Sequence, residues 1–354
     1  MKKIRLAPFL ALFVVLTSVR AFAQDLTLDS GFNQQSLADI QAFTGGFDTD
    51  SSGNIYYAGT QDSDPTFDNQ VIEMTQASNY TFSTVIADYG TSTYPSFLTI
   101  QGSNIYYGDS VSGGNINVTT VPVLSPQNPT VIANMPENYD MAFSGTSAYV
   151  SANIAGFSTG EAVNGVYYLN VTTGSYQEVL ATTDNSGPIA FTSNGSLLYG
   201  TSGISGTGGI YEFTAAQLNN SLTTGTALSL SDGQLVIPPD VNPGNSSLDV
   251  IGNDLFDAFS PYGGTASLTE YNLLTGAVTD IGTVTNQGYY FNAMTDYDGT
   301  LTVAETDGAT FTDFIEVTPV PEPRETWLAA AGLLLVFCLA RNRARLRRLV
   351  PRGC

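Results

Sequence analysis

Apolar residues in the middle of this chain come in short runs separated by Gly, Asn, Asp, Ser and Thr, the pattern of strands and tight turns rather than of helices. One unit recurs: a turn glycine followed by a short β-run. It reads Gly53-Asn54-Ile55-Tyr56-Tyr57, Gly102-Ser103-Asn104-Ile105-Tyr106-Tyr107 and Gly145-Thr146-Ser147-Ala148-Tyr149-Val150. It returns at Gly195-Ser196-Leu197-Leu198-Tyr199, Gly252-Asn253-Asp254-Leu255-Phe256 and Gly299-Thr300-Leu301-Thr302-Val303, at intervals of 49, 43, 50, 57 and 47 residues. A second apolar unit keeps the same beat: Leu37 to Ile40, Val85 to Asp88, Val131 to Asn134, Val179 to Ala181, Leu235 to Ile237 and Val278 to Ile281. Between them lies another strand, as in Val71 to Met74, Val166 to Leu169 or Phe314 to Val317, and an apolar run such as Phe97 to Ile100 precedes each glycine. That makes four strands per repeat.

Four-stranded units at this spacing resemble the blades of β-propeller repeat proteins, and the expected fold is all-β, a six-bladed propeller spanning residues 24–317. The phase of the repeats supports closure. The last repeat, Asn292 to Val317, holds three strands, while a copy of the fourth, Ser36 to Phe43, precedes the first complete blade. Pairing that segment with Phe314 to Val317 would finish the sixth blade from both chain ends and remove an open edge. A pair of β-sandwiches or a parallel β-helix are the rival architectures, but neither calls for six in-phase units of this length.

The two ends differ from the middle. A basic start, the apolar run Leu6 to Val19 and Ala21-Phe22-Ala23 read as a secretory signal over residues 1–23, cleaved after Ala23. At the other end Val320-Pro321-Glu322-Pro323 precedes an apolar stretch, Trp327 to Ala340, and an arginine cluster over 341–354. At 1.5 Å per residue the apolar stretch is about 21 Å long as a helix, shorter than a bilayer core of ~30 Å. Trp327 can sit at one interface while Arg341, Arg343 and Arg345 mark the cytoplasmic side, leaving the middle outside. Motif, short helix and arginines together resemble the PEP-CTERM sorting signal of Gram-negative bacteria, here over residues 318–354. The resemblance implies processing by an exosortase near Pro323, after signal peptidase, and delivery to the cell surface or an exopolysaccharide matrix. It implies nothing about the work of the middle.

Charge sharpens the picture. All eleven Lys and Arg residues lie outside the segment from Gln24 to Pro323, there is no His, and all 32 acidic residues except Glu325 fall inside it. Average usage would place roughly 35 basic residues in such a segment. A polyanion of this kind has nothing to neutralise phosphates, so nucleic acid is excluded as a partner. Catalysis by a Ser-His-Asp triad, a Cys-His pair or a lysine Schiff base is excluded with it, as are a His- or Cys-ligated zinc site and an arginine clamp. Both cysteines, Cys338 and Cys354, lie in the C-terminal segment, so the middle folds without disulfides.

Carboxylate chemistry survives. Asp48, Asp140, Asp249 and Asp296 lie on the runs that would line a propeller channel, where a pair could work as acid and base on a glycosidic bond or serve as polar lining. Nothing in the sequence picks out a pair. Asp48-Thr49-Asp50-Ser51-Ser52-Gly53 opens like a calcium loop, with Asp48, Asp50 and Ser52 as candidate ligands, but a turn wants Asp and Gly for geometry alone. The tyrosine pairs, such as Tyr56-Tyr57 and Tyr106-Tyr107, alternate across a strand and are expected in the blade core. The expectation is therefore a non-enzymatic surface or matrix protein that binds exopolysaccharide or matrix proteins. It needs no cofactor, and calcium is the candidate ion. A carboxylate-based glycoside hydrolase or lyase is the alternative.

Overall fold

The computed structural model describes residues 26–60, 69–90, 94–110, 117–123, 129–154, 164–183, 187–201, 209–238, 244–260, 265–286, 288–308 and 311–320. The expected signal peptide, all of the sorting motif beyond Val320, and the apolar and basic segments that follow lie outside them. Among the described residues no helix is long and apolar enough to cross a membrane.

Six sheets form six blades, antiparallel throughout except for one strand added at the outer edge of blade 3. Blade 1 runs from the inner strand Thr44–Thr49 through Ile55–Thr60 and Asn69–Met74 to the outer strand Ser83–Gly90. The other inner strands are Tyr94–Gln101, Asn138–Ser144, Ile189–Phe191, Asn245–Ile251 and Tyr290–Tyr297. Each packs on the next, and the last packs on the first, so the ring closes around a central channel.

Closure follows the repeat phase read from the sequence. Phe32–Ile40 pairs antiparallel with Thr312–Pro319, with Ser36 opposite Ile315 and Ala38 opposite Phe314, and becomes the fourth strand of blade 6. The chain ends are thereby sewn together within one sheet, and no blade is left with three strands.

The core lies between blades. Six apolar clusters each draw on two neighbouring blades. The period of two explains how. Tyr56 joins the cluster shared with blade 2, and Tyr57, one residue on, the cluster shared with blade 6. Both are 1 % exposed. Burying such a ring contributes about 25 cal/mol per Å² of apolar surface removed from water. Blades approach closely where a side chain is missing: a Cβ on Gly46 would lie 2.5 Å from the backbone nitrogen of Leu98 in blade 2.

Three elements were not anticipated. Leu26–Leu28 adds a fifth strand to blade 5, against Val278–Val284. A helix, Ala215–Thr224, fills the 57-residue interval ahead of Gly252, with Thr214 and Gln217 forming a reciprocal cap at its start. After it, Leu228–Ser229 pairs parallel with the outer strand of blade 3.

Candidate functional site

The inner strands enclose a cavity of about 540 Å³. Its lining comes from all six blades and includes all four aspartates singled out from the sequence: Asp48, Asp140, Asp249 and Asp296. Phe43, Phe97, Tyr139, Phe143, Phe191 and Tyr290 supply aromatic wall. In five blades the inner strand carries a bulge, for example between Asn138 and Asp140 and between Asn245 and Ser247. A bulge re-aims the side chains beside it and breaks strict alternation, which is how one strand can feed both core and channel.

Asp48 and Asp140 are fully engaged. Asp48 Oδ1 accepts from the Thr49 amide at 2.7 Å and the Thr295 hydroxyl at 2.6 Å. Its Oδ2 accepts from the Ile100 amide of blade 2 at 2.7 Å. Asp140 repeats the device: Oδ1 accepts from the Met141 amide and Oδ2 from the Ile189 amide of blade 4, both at 2.8 Å. Each carboxylate bolts its blade to the next. Burial raises both above the ordinary carboxylate range, Asp140 to about 6, against the pull of these donors.

Asp249 breaks the pattern. It stands opposite Phe256 as Asp48 stands opposite Tyr56, and its Oδ1 accepts from the Val250 amide at 2.8 Å in the same way. On the next blade, Asp296 pairs with Leu301 as Ile100 pairs with Ile105, so the register position that holds Ile100 beside Asp48 holds a second carboxylate near Asp249. Asp249 Oδ2 is buried and has no hydrogen-bond partner. Burial first, then the neighbouring charge of Asp296, push the Asp249 carboxyl up to about 8, with Asp48 and Asp140 adding to the effect. Asp296 itself is exposed at the mouth, raised by partial burial and held down by the Gly299 amide. At neutral pH Asp249 therefore carries a proton beside an accessible carboxylate.

Tyr139 was missed in the sequence. Its hydroxyl donates to the Ser246 carbonyl at 3.1 Å, linking blade 3 to blade 5 past the short inner strand of blade 4. No motif marks it; the signal is that three-residue inner strand, Ile189–Phe191.

The calcium candidates serve different places. Asp50 Oδ1 accepts from the Ser52 and Asn54 amides at 2.8 and 3.0 Å, and its Oδ2 from the Asn54 side chain at 2.9 Å, all within its own turn. Asp48 is turned to the neighbouring blades. Among the described residues no group of three or more Asp, Glu, Cys or His side chains is arranged to hold a metal ion.

No family model and no curated protein matches the sequence. Solved structures do match in fold. A PQQ-bound aldose sugar dehydrogenase from Streptomyces coelicolor is 9 % identical, with a TM-score of 0.55 over 82 % of this chain and 100 % of that one. A protein described as a glucose dehydrogenase, from Thermus thermophilus, is 12 % identical, with a TM-score of 0.56 over 81 % of this chain and 100 % of that one. A chain of the mitotic checkpoint complex is 12 % identical, with a TM-score of 0.52 over 83 % of this chain and 94 % of that one.

These likenesses establish the fold, and they correct one expectation. Absence of Lys, Arg and His pointed to a protein that is not an enzyme. The scaffold is one that sugar dehydrogenases use over their whole length, and its channel here keeps a protonated carboxyl, so that expectation does not stand. The cofactor of the Streptomyces structure does not fit. PQQ is a tricarboxylate, and this channel offers it four aspartates and, between Gln24 and Pro323, no cationic side chain. The chain is a six-bladed β-propeller with a carboxylate-lined channel.

Proposed function

We propose that this is an exported propeller that cleaves a neutral polysaccharide by carboxylate acid–base chemistry in its channel. The observation that carries the reading is the Asp249 carboxyl in the channel lining, with no donor on Oδ2 and the exposed carboxylate of Asp296 beside it; Oδ2 lies below the surface, so the side chain turns to meet a substrate. Asp249 donates its proton to the glycosidic oxygen as the bond from the anomeric carbon breaks. Asp296 takes a proton from the water that attacks that carbon, and proton return through solvent resets the pair. The aromatic wall gives sugar rings faces to stack on. A channel whose charged side chains are all acids repels uronates and other anionic sugars, which favours neutral ones.

The terminal segments support export, passing attachment through Trp327 to Ala340, and release by exosortase to the cell surface or matrix, where such a polysaccharide is at hand. The test is sugar release from a panel of neutral and uronic polysaccharides. The expected result is release from a neutral glycan that Asp249→Asn cuts by a factor of about 100 or more. Release that survives both Asp249→Asn and Asp296→Asn would overturn the assignment, as would no release from any glycan.

A further inference from the structure

In every blade the inner and third strands run toward one face, and the fourth strand begins there. Large exposed apolar side chains gather at that end. Phe82, Val131, Tyr176 and Leu235 stand within one residue of the start of the fourth strand in blades 1 to 4, and Leu274 in the turn before it in blade 5. Phe82 is 60 % exposed and Leu274 75 %. Single exposed apolar residues are ordinary on a protein surface; one per blade at the same height is not scatter.

The chain leaves the propeller on this same face. Thr312–Pro319 is the third strand of blade 6, and Val320, exposed in turn, donates its amide to the Gly31 carbonyl there at 2.8 Å. Six residues, 321–326, then separate Val320 from Trp327. Fully extended they reach about 20 Å. An apolar segment held in a bilayer thus draws this face, and not the opposite one, to the headgroups.

We propose that this face lies on the surface of the lipid bilayer while the C-terminal segment is attached; the inference rests on the membrane attachment proposed above. A ring of side chains around a disc is matched by a flat partner, since a peptide in a groove touches one or two blades only. The short tether supplies a high effective concentration, so shallow insertion of a few rings and aliphatic groups suffices. Exposed Asp232 and Asp298 on the same face oppose anionic headgroups and set a preference for zwitterionic lipid. The channel mouth at Asp296 opens here too, so attachment turns it toward the headgroups and cleavage of the tail exposes it.

The test uses the full chain in phosphatidylcholine vesicles containing brominated lipid. Trp327, the only tryptophan, is replaced by Phe. Single reporters are then placed by Phe82→Trp or Leu274→Trp, with Asn134→Trp at the opposite end of an outer strand as control. Vesicle flotation reads attachment and quenching reads docking. Docking predicts blue-shifted emission and loss of about half the fluorescence at positions 82 and 274, with position 134 unchanged. A chain that floats but is quenched no more at 82 and 274 than at 134 overturns docking and leaves attachment standing. A chain that does not float overturns both. A blue shift without lipid that grows with protein concentration assigns the face to a second copy of the chain and overturns the proposal as well.

Discussion

The first and fifth blades carry an aspartate at the same place on the inner strand, and the two do different work. Asp48 has donors on both oxygens, one of them the Ile100 amide of the next blade. Asp249 has a donor on one oxygen and none on the other, and on the next blade Asp296 pairs with Leu301 as Ile100 pairs with Ile105. The same residue type ties two blades together in one place and keeps an oxygen free in the other. What separates them is the neighbour's backbone and charge, not anything in their own sequence context.

The largest expected effect comes from forcing apart the blades that Asp48 joins. Gly46→Val sets side-chain atoms against the backbone of Phe97 and Leu98, less than 3 Å from where its Cβ must lie. It should cost on the order of 4 kcal/mol or prevent folding, read by chemical denaturation. Next is the bolt itself. Asp48→Ala strips acceptors from the Ile100 and Thr49 amides and the Thr295 hydroxyl, and should cost about 3 kcal/mol in the same measurement. A loss equal to that of Asp249→Ala would erase the distinction between the two aspartates.

Asp249→Asn should move the other way at high pH. The folded state holds Asp249 with a pKa of about 8, above its ordinary 3.8. Its contribution to stability is therefore complete below the unfolded value and is lost as pH rises through the folded one. Asn cannot ionise, so the variant's advantage over wild type should grow by several kcal/mol between about pH 4 and about pH 9, at roughly 1.4 kcal/mol per pH unit until the folded pKa is passed. A parallel shift at both pH values would mean that the charge is not the cause. On the proposed reading the same proton would set catalysis: sugar release should fall on the alkaline side near pH 8 and on the acid side as Asp296 protonates. The smallest effect concerns cations. With the oxygens of Asp48 and Asp50 accepting from protein donors, calcium and magnesium should shift the melting temperature alike, by about 1 °C through general screening. A large calcium-specific shift would restore Asp48, Asp50 and Ser52 as ligands.

The fold was legible because strand period and turn chemistry repeat. Six glycine-led β-runs, and the orphan strand ahead of the first blade, gave blade number and closure. The Ala215–Thr224 helix was not read, although Thr214 and Gln217 carry its cap, because one helix breaks the beat of the repeat. The site was half legible. All four channel aspartates could be named from their place before the turn glycines. Which of them keeps a free oxygen could not, because that depends on bulges and on which amide of the next blade arrives opposite. Tyr139 was invisible for the same reason: its partner, the Ser246 carbonyl, lies two blades away.

The most direct test of the central claim is infrared titration of the full chain against Asp249→Asn from about pH 5 to about pH 10. The account predicts a protonated-carboxyl band that persists at neutral pH, disappears near pH 8 and is absent from the variant. A neutral-pH spectrum without that band, or one that Asp249→Asn leaves unchanged, would contradict it.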